Sequence, residues 1–463
     1  MLSNRVIENV LYAALSKGGD FAEIFVEDKI NASIRLVGGL IENNISGRDY
    51  GVGIRIFHKF NSIYAYTNDS NEENLIKVAK QAAAALDSKG IELRLNLMKR
   101  EGTNYNPISI YPNKVEKKDK IELLKRGYKA AKEYDPVISQ VTANYLEEDQ
   151  KILVANTEGL LATDRRVRTR LSIASVASKN GEMQQGSYSP GASMGFEFYE
   201  KINVEEVGIE ASRIAKTMVH AEYCPSGTMP VIIDNEFGGV LFHEACGHAL
   251  EAAFVSKGTS AFANKLGQLV ASPLVTAIDD GTMPNGWGTT NIDDEGTPTQ
   301  KNILIENGIL KSYLIDKIHG RRMNMESTGS GRRQSYKFAP TSRMNNTYID
   351  AGESTFESII SNTENGLYAK KLGGGSVDPA TGDFNFAVME GYIVENGKIL
   401  KPVRGATLIG NGIKVLELID MVGNNLDLGQ GMCGAESGSI PANVGQPALR
   451  VKSLTVGGRK VED

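Results

Sequence analysis

The sequence predicts an α+β fold, with an N-terminal α/β region followed by a mainly antiparallel β domain built around one buried helix. Glycine marks the change between the two parts: 33 of the 49 glycines follow residue 225, where turns and short apolar runs replace long helical stretches. The N-terminal region shows the order helix, strands, helix twice, which indicates a weakly repeated unit. We therefore expect an N-terminal α/β unit at residues 1–100, a second at 101–224, and a β-rich C-terminal domain at 225–463.

Hydrophobic periodicity and turn residues define the elements of both N-terminal units. In the first unit we predict helix Val6–Lys17, strands Phe21–Val37, Ile41–Asn44, Gly51–Phe57 and Ile63–Thr67, and helix Glu72–Leu86. In the second we predict helix Lys118–Glu133, strands Val141–Glu147, Lys151–Asn156, Leu160–Ala177 and Gly195–Tyr199, and helix Val204–Val219. A segment rich in Gly, Asn and Pro, at residues 100–112, separates them.

Two Asn-Gly pairs indicate β-hairpins in the C-terminal part. Asn307–Gly308 and Asn396–Gly397 each lie between apolar runs, and this dipeptide favours the tight turn of a hairpin. Further strands are predicted at Pro230–Ile233, Thr347–Asp350, Phe384–Val388, Ala406–Ile409 and Ala448–Val456. Helices are predicted at Asn235–Phe254, Thr355–Ser361 and Gly412–Met421.

Composition narrows the functional class. The net charge is −5, with 51 basic and 56 acidic residues well mixed, so we expect no direct binding to nucleic acid. Nowhere do eighteen uncharged apolar residues follow one another, so no membrane span is expected. The N-terminus lacks the pattern of a signal peptide, and three widely spaced cysteines do not form a disulfide framework. We therefore expect a cytoplasmic protein.

The segment HEACGH contains the residues with the clearest chemical meaning. His243 and His248 could supply imidazole ligands to a zinc ion, and Glu244 occupies the position where metalloproteases have the general base. In the usual HExxH spacing the two histidines lie about 40° apart on a helix, whereas HExxxH separates them by about 140°. A π-bulge, or a bend at Gly247, would bring the rings together. The alternative is two histidines without a metal, in the core or on the surface.

A third ligand would decide between these interpretations. Cys433 lies in a predicted glycine-rich loop between two apolar segments, and its thiolate would complete a His2Cys site with one position open for water. Without a metal, Cys433 would be a small buried residue in a tight turn.

Four C-terminal blocks resemble the TldD/PmbA family, specifically its TldD-type, metal-binding members. These blocks are HEACGHALE, GSGRRQSYKFAPTSRMNNTYI, KLGGGSVDPATGDFNFAVMEGYIVENGKI, and GMCG followed by VGQPALRV. The resemblance covers essentially the whole chain. It implies that His243, His248 and Cys433 bind the metal and that Glu244 is catalytic. Cys246 departs from the family, which usually has a small apolar residue there; it is either an inert buried thiol or a competing ligand.

The resemblance implies a peptidase that cleaves unfolded or extended peptides and uses one zinc ion per chain, with iron as an alternative. It also implies a dimer, formed with a non-catalytic paralogue or with a second copy. Two other functions stay open. The protein could be a regulator or scaffold with a vestigial metal site, since members of this family were once described as modulators of DNA gyrase, or it could be a zinc hydrolase of non-peptide amides.

Arg332 and Arg333, inside the second block, allow two interpretations. They could hold a substrate carboxylate, or they could be two surface arginines, which is the more common case for adjacent basic residues.

Overall fold

A computed structural model describes residues 1–86, 90, 95–100, 102–378 and 381–459 of the chain. Outside the described residues lie residue 101, which is next to the first expected domain boundary, and residues 379 and 380, which belong to the third of the four sequence blocks. Among the described residues, no helix is long and apolar enough to cross a membrane.

The described residues of the N-terminal region form four α-helices and eight strands. The helices are α1 (Asn4–Ala14), α2 (Glu72–Ala83), α3 (Lys117–Glu133) and α4 (Val204–His220). The strands are β1 (Phe21–Val37), β2 (Leu40–His58), β3 (Asn61–Thr67), β4 (Met98–Arg100), β5 (Ile138–Asn156), β6 (Leu160–Lys179), β7 (Glu182–Tyr188) and β8 (Gly191–Ala192). Asn71 and Asn203 cap α2 and α4 by accepting hydrogen bonds from backbone N–H groups of the first turn.

Both predicted units contribute to one sheet. Its strand order is β3-β2-β1-β5-β6-β4, with β7 and β8 also paired to β6. The antiparallel pairing of β1 with β5 joins the two units. Helices α1 and α2 pack over the first unit, and α3 and α4 pack over the second. The predicted order of helix, strands and helix is therefore present twice, within a single continuous sheet.

Successive side chains of β1 point to opposite faces of this sheet, so the two faces contact different parts of the molecule. Ala22, Ile24 and Val26 point towards the core under α1 and α2. The intervening residues face the C-terminal part of the chain: Glu23 binds Arg333, and Glu27 accepts the backbone N–H of Tyr336. This second face therefore carries polar contacts between the N-terminal sheet and the C-terminal domain.

Three N-terminal predictions are wrong in detail. Ile41–Asn44 and Gly51–Phe57 are parts of the single strand β2. Val141–Glu147 and Lys151–Asn156 are likewise parts of the single strand β5, which pairs continuously with β1. Gly195–Tyr199, which was predicted as a strand, contains a 3-10 helix at Phe196–Glu200. The carboxylate of Glu197 accepts backbone N–H groups from Ser109, Ile110 and Gly195. These hydrogen bonds favour a turn over an extended strand.

The C-terminal domain contains sixteen of the described strands and five short helices. The strands are β9 (Glu222–Tyr223), β10 (Gly227–Ile233), β11 (Ala277–Asp280), β12 (Lys301–Glu306), β13 (Ile309–Leu310), β14 (Gly331–Arg332), β15 (Thr341–Ser342), β16 (Asn346–Ile349), β17 (Asn365–Val377), β18 (Asp383–Glu395), β19 (Lys398–Arg404), β20 (Thr407–Asn411), β21 (Ile419–Val422), β22 (Asp427–Ala435), β23 (Gly438–Gln446) and β24 (Leu449–Gly457). The helices are α5 (Val240–Phe242), α6 (Ala252–Val255), α7 (Lys317–Met323), α8 (Phe356–Ser361) and α9 (Gly412–Glu417).

Five of these strands form a closed barrel. Its order is β17-β10-β24-β20-β18, and pairing of β18 with β17 closes the ring. Only β10 and β17 run parallel in it. A second sheet has the order β13-β12-β11-β16-β23-β22. Both predicted Asn-Gly hairpins are present, between β12 and β13 and between β18 and β19. The predicted α+β class is thus confirmed.

One C-terminal helix is shorter than predicted. The helix expected at Gly412–Met421 ends at Glu417, and β21 follows it directly. Ile419 and Val422 pair with β24, so backbone hydrogen bonds to the sheet replace the last helical turn. Pairing with a distant strand overrides local helical propensity here.

Candidate metal centre

The segment between Glu236 and Val255 is a succession of short helical turns, in contrast to the continuous helix predicted for Asn235–Phe254. A 3-10 turn leads into α5, and His243–Gly247 then forms a π-helical turn. The backbone N–H of His248 donates to the carbonyl of His243, five residues earlier. This wider turn places His243 and His248 on one side of the segment, as the π-bulge hypothesis requires.

Close packing accompanies the π turn at Gly247. A Cβ atom on this residue would lie 2.3 Å from the sulfur of Met344, so a larger residue does not fit without movement. Phe242, Ala245 and Cys246 on the same segment belong to the main hydrophobic core, together with residues of the barrel. The turn is therefore buried between the barrel and the chain around Met344.

Three predicted donor atoms meet at this turn. Nε2 of His243 lies 3.1 Å from Sγ of Cys433, and Sγ lies 3.4 Å from Nε2 of His248. All three ligand atoms lie within 4.8 Å of one another, and all three residues are buried. The structure thus brings His243, His248 and Cys433 into one cluster, while their role as metal ligands stays a prediction.

Cys433 lies on a strand, whereas the sequence predicted a glycine-rich loop. It is part of β22 and pairs in register with Ile440 of β23. Arg343, which is fully buried, donates hydrogen bonds to the carbonyls of Cys433 and Gly438 and to the hydroxyl of Ser437. These contacts hold the hairpin so that the Cys433 thiol meets the histidines.

Cys246 does not join the cluster. It is completely buried in the apolar core, and burial raises the pKa of its thiol far above the usual value. A protonated thiol is a poor metal ligand. The geometry therefore favours the inert interpretation of Cys246.

The electrostatics of the cluster stabilise a thiolate. Burial by itself raises the pKa of the Cys433 thiol, but the imidazoles of His243 and His248 outweigh burial and hold the pKa well below its usual value. Burial by itself lowers the pKa of His248, but Glu251 and Cys433 outweigh it and raise that pKa well above the usual range. Metal binding would displace the imidazole proton while the thiolate is already formed.

Glu251 is a residue of the site that the sequence analysis missed. Its carboxylate accepts a hydrogen bond from Nδ1 of His248 at 3.0 Å, which leaves Nε2 of that ring directed towards Cys433. Carboxylates commonly orient metal-binding histidines in this way. The available signal was its position three residues after His248, on the same face of a helical turn. His243 differs, because its Nδ1 is buried without a hydrogen-bond partner among the described residues.

Glu244 is the most accessible member of the site. Its side chain is 32% exposed, and Oε2 lies 3.7 Å from Nε2 of His248. The donor residues are almost completely buried by comparison, with His243 at 2% and Cys433 at 3% exposure. A carboxylate in this position can reach a water or substrate atom beside the cluster without being buried itself.

The donor set suits a zinc ion in its chemistry, and the two separations to Sγ are close to those that zinc requires. Imidazole nitrogen and thiolate sulfur are typical zinc ligands, and tetrahedral coordination requires ligand atoms about 3.3–3.7 Å apart. The two separations to Sγ, 3.1 Å and 3.4 Å, need only small adjustment. Three protein donors would leave the fourth position for water or substrate, which is the arrangement of catalytic zinc sites.

Arg332 and Arg333 are both buried, at 3% and 4% exposure, so the surface interpretation of this pair is wrong. Arg333 binds Glu23 on the N-terminal sheet. The guanidinium of Arg332 donates to the carbonyl of Met344, the residue that packs against Gly247. Arg332 therefore lies close to the candidate metal centre.

Comparison with known proteins assigns the chain to a family. The models of PmbA/TldA metallopeptidase domain 1, central domain and C-terminal domain match residues 22–86, 110–219 and 226–458. A metalloprotease TldD homolog of Haemophilus influenzae is 39% identical, covering 99% of this chain and 97% of that protein. Its counterpart in Buchnera aphidicola (subsp. Acyrthosiphon pisum) is 37% identical, with 98% and 97% coverage.

Solved structures have the same fold. A Thermotoga maritima protein superposes with a TM-score of 0.81 at 24% identity, covering 98% of this chain and 99% of that one. TldE from Thermococcus kodakarensis gives a TM-score of 0.78 at 22% identity, covering 98% and 100%. With the domain matches and the full-length relatives named TldD metalloprotease homologs, these findings show that the chain belongs to the TldD/PmbA family, as a TldD-type member.

Proposed function

We propose that this protein is a zinc-dependent peptidase that hydrolyses unfolded or extended peptides, with Glu244 as the general base. The main support is the arrangement of the site: a partly exposed carboxylate lies beside three buried donors, two imidazoles and one thiolate. Relatives similar over their whole length are named metalloproteases. Iron is the alternative metal, since imidazole also suits iron.

The residues divide the work of the reaction. His243, His248 and Cys433 would hold the ion, which when bound would supply the Lewis acidity that polarises the peptide carbonyl. Glu244 would take the proton of the attacking water and deliver it to the leaving amine. With one thiolate and two neutral imidazoles as ligands, a zinc site would have a net charge of about +1. Water at this site would therefore be acidified less than water at a site with three histidine ligands. The reaction therefore depends strongly on Glu244.

Peptide hydrolysis with and without chelator tests this proposal. We expect the purified protein to cleave unfolded peptides, to lose activity with a chelator, and to regain it when zinc is restored. Glu244→Gln should retain the metal and lose about 10²- to 10⁴-fold in rate, the usual contribution of general acid–base catalysis. Metal binding without hydrolysis of any peptide would favour the regulator or scaffold function. Cleavage of small amides alone would favour the non-peptide hydrolase.

The proposal includes a dimer, with a non-catalytic paralogue or a second copy as the partner. The protein surface supports this part of the proposal, because Leu40, Ile41 and Ile45 are exposed at the end of the β1–β2 hairpin. Exposed apolar groups of this kind often mark interfaces. Mass in solution, alone and with the paralogue, tests it. We also propose a cytoplasmic location, because the three cysteines are free, which is typical of reducing compartments.

A further inference from the structure

A second group of buried charges lies beside the candidate metal centre. A cavity of about 190 Å³, which we call the arginine chamber, has a lining rich in positive charge. Its cationic side chains belong to Lys29, Arg166, Arg168, Arg332 and Arg333. Only two carboxylates line it, those of Glu148 and Asp294. Burial of charge is costly unless each charge has a partner, so the partner of every cation matters.

Four of the five cations have carboxylate partners. Arg166 binds Asp164 and Asp294, and Arg168 binds Glu148. Arg333 binds Glu23, and Lys29 lies within ion-pair distance of Glu27 and Glu148. These pairs neutralise most of the chamber's positive charge and account for both of its lining carboxylates.

Arg332 is the exception. Within the described part of the chain, no carboxylate lies within 4.0 Å of its guanidinium, and its hydrogen bond goes to the carbonyl of Met344 at 2.7 Å. It is 3% exposed. Burial lowers the pKa of Arg332 to about 9, and the neighbouring charge of Arg168 acts in the same direction. Since a guanidinium stays protonated in proteins, Arg332 presents a buried charge that has no ion pair within 4.0 Å among the described residues, and Asp294, already paired with Arg166, acts on it only from a greater distance.

The chamber is next to the candidate metal centre. Ile440 lines the chamber and pairs in register with Cys433 on the neighbouring strand. Met344, which accepts the hydrogen bond from Arg332, packs against Gly247 of the π turn. A group held by Arg332 would therefore lie near a peptide bond placed at the cluster of His243, His248 and Cys433.

We propose that the arginine chamber binds a carboxylate of the peptide substrate through Arg332, an inference that rests on the proposed peptidase function. A guanidinium matches a carboxylate in shape and charge and binds it through two parallel hydrogen bonds. The carboxylate is the C-terminus of the peptide or the side chain of Asp or Glu. Both sources share one chemistry, and either would supply the negative charge that Arg332 lacks.

An adjoining cavity shows which residue accompanies the carboxylate. This cavity, of about 430 Å³, shares Glu148, Arg168, Met432 and Pro441 with the chamber, and its lining surface is otherwise largely apolar, with Leu146 and Trp287 among its residues. A large apolar side chain next to the carboxylate would fit against these residues. Probe peptides for the chamber should therefore carry leucine beside the carboxylate.

Binding of matched peptides tests the inference. Fluorescence anisotropy of the full-length Glu244→Gln protein, in which turnover is slow, would use a labelled peptide ending in leucine as the free acid and as the amide. A second pair of amides would carry Asp or Asn beside leucine. We expect one carboxylate form to bind about 10- to 100-fold more tightly than its neutral counterpart, the usual effect of a hydrogen bond to a charged group.

Arg332→Met should reduce this preference to less than about threefold, because the remaining guanidinium groups are already paired. The control is Arg404→Met, which removes an arginine paired with Glu182 outside the chamber and should leave the preference intact. Equal binding of the acid and neutral peptides to protein with intact Arg332 would overturn the inference, even if the Arg332 variant did not fold.

Hydrolysis of the same peptides by the metal-loaded wild type separates the two proposals. Cleavage without any preference for a carboxylate would refute the chamber and leave the peptidase proposal standing. A carboxylate preference in binding, with no cleavage of any probe, would refute the peptidase proposal and leave the chamber as a carboxylate-binding site.

Discussion

Glu251 should affect the metal affinity of the site although its carboxylate is not one of the predicted ligands. Its carboxylate is buried and accepts the Nδ1 proton of His248 at 3.0 Å, which fixes the tautomer whose Nε2 is free to bind. Glu251→Gln keeps the size of the side chain and removes its charge. A glutamine amide can also rotate and donate to Nδ1, which would move the imidazole proton to Nε2 and block it as a ligand.

The expected loss of metal affinity is about 10- to 100-fold, the usual effect of changing the hydrogen-bond partner of a metal-binding histidine. This corresponds to about 1.4–2.8 kcal/mol of binding free energy. The hydrogen bond in question is charge-assisted, and such bonds are about twice as strong as neutral ones. Arg343, with Nε 4.0 Å from Glu251, would also lose a neighbouring negative charge.

Competition with a chromophoric zinc chelator would measure this affinity in the full-length protein. Glu244→Gln is the matched control, because it makes the same chemical change seven residues earlier, at a side chain that is 32% exposed. The control should bind metal like the wild type and lose hydrolysis, whereas Glu251→Gln should lose metal. Equal zinc affinity of Glu251→Gln and the wild type would refute the orienting role.

Three further sets of substitutions test the site. His243→Ala or His248→Ala should leave the chain folded, by circular dichroism, but empty of metal; full occupancy by elemental analysis would remove that histidine from the ligand set. In cobalt-substituted protein, Cys433→Ser should abolish the near-ultraviolet thiolate charge-transfer band and Cys246→Ser should preserve it; the reverse result would make Cys246 the ligand. Gly247→Ala should lower the free energy of unfolding by about 1–3 kcal/mol through overpacking; an unchanged denaturant midpoint would contradict the close contact.

The sequence was most informative where one short segment contains the chemistry. His243, Glu244 and His248 are separated by fixed distances along the chain, and the angle of about 140° that a regular helix would place between the two histidines indicated a widened turn or a bend at Gly247. The π turn at His243–Gly247 is that widened turn. The two Asn-Gly turns were also predictable from the sequence. A tight hairpin turn requires the left-handed backbone seen at Asn307 and Asn396, and this requirement acts locally on the residue type.

Two kinds of feature were not predictable. Glycine is disfavoured in strands, so the several glycines around Cys433 indicated a loop, whereas pairing with the neighbouring strand β23 makes this segment a strand. Contacts between residues far apart in the sequence were the second kind. The burial of Arg333 depends on Glu23, 310 residues away in sequence. Arg343 supports the Cys433 carbonyl across 90 residues. A single sequence contains no local signal for the contacts of Arg333 and Arg343.

The location of the predicted donors would give a bound metal a structural role as well as the proposed catalytic one. His243 and His248 lie on the turn packed against the barrel, whereas Cys433 lies on β22 of the second sheet. Without an ion, the thiolate and a protonated His248 must stabilise each other in a buried site, and a buried ion pair gains little beyond its desolvation cost. An ion that replaces the proton would bond to both layers at once. The proposed catalytic geometry and a metal link between β22 and the barrel would therefore use the same three residues, and Glu244, which is partly exposed, would remain free for proton transfer.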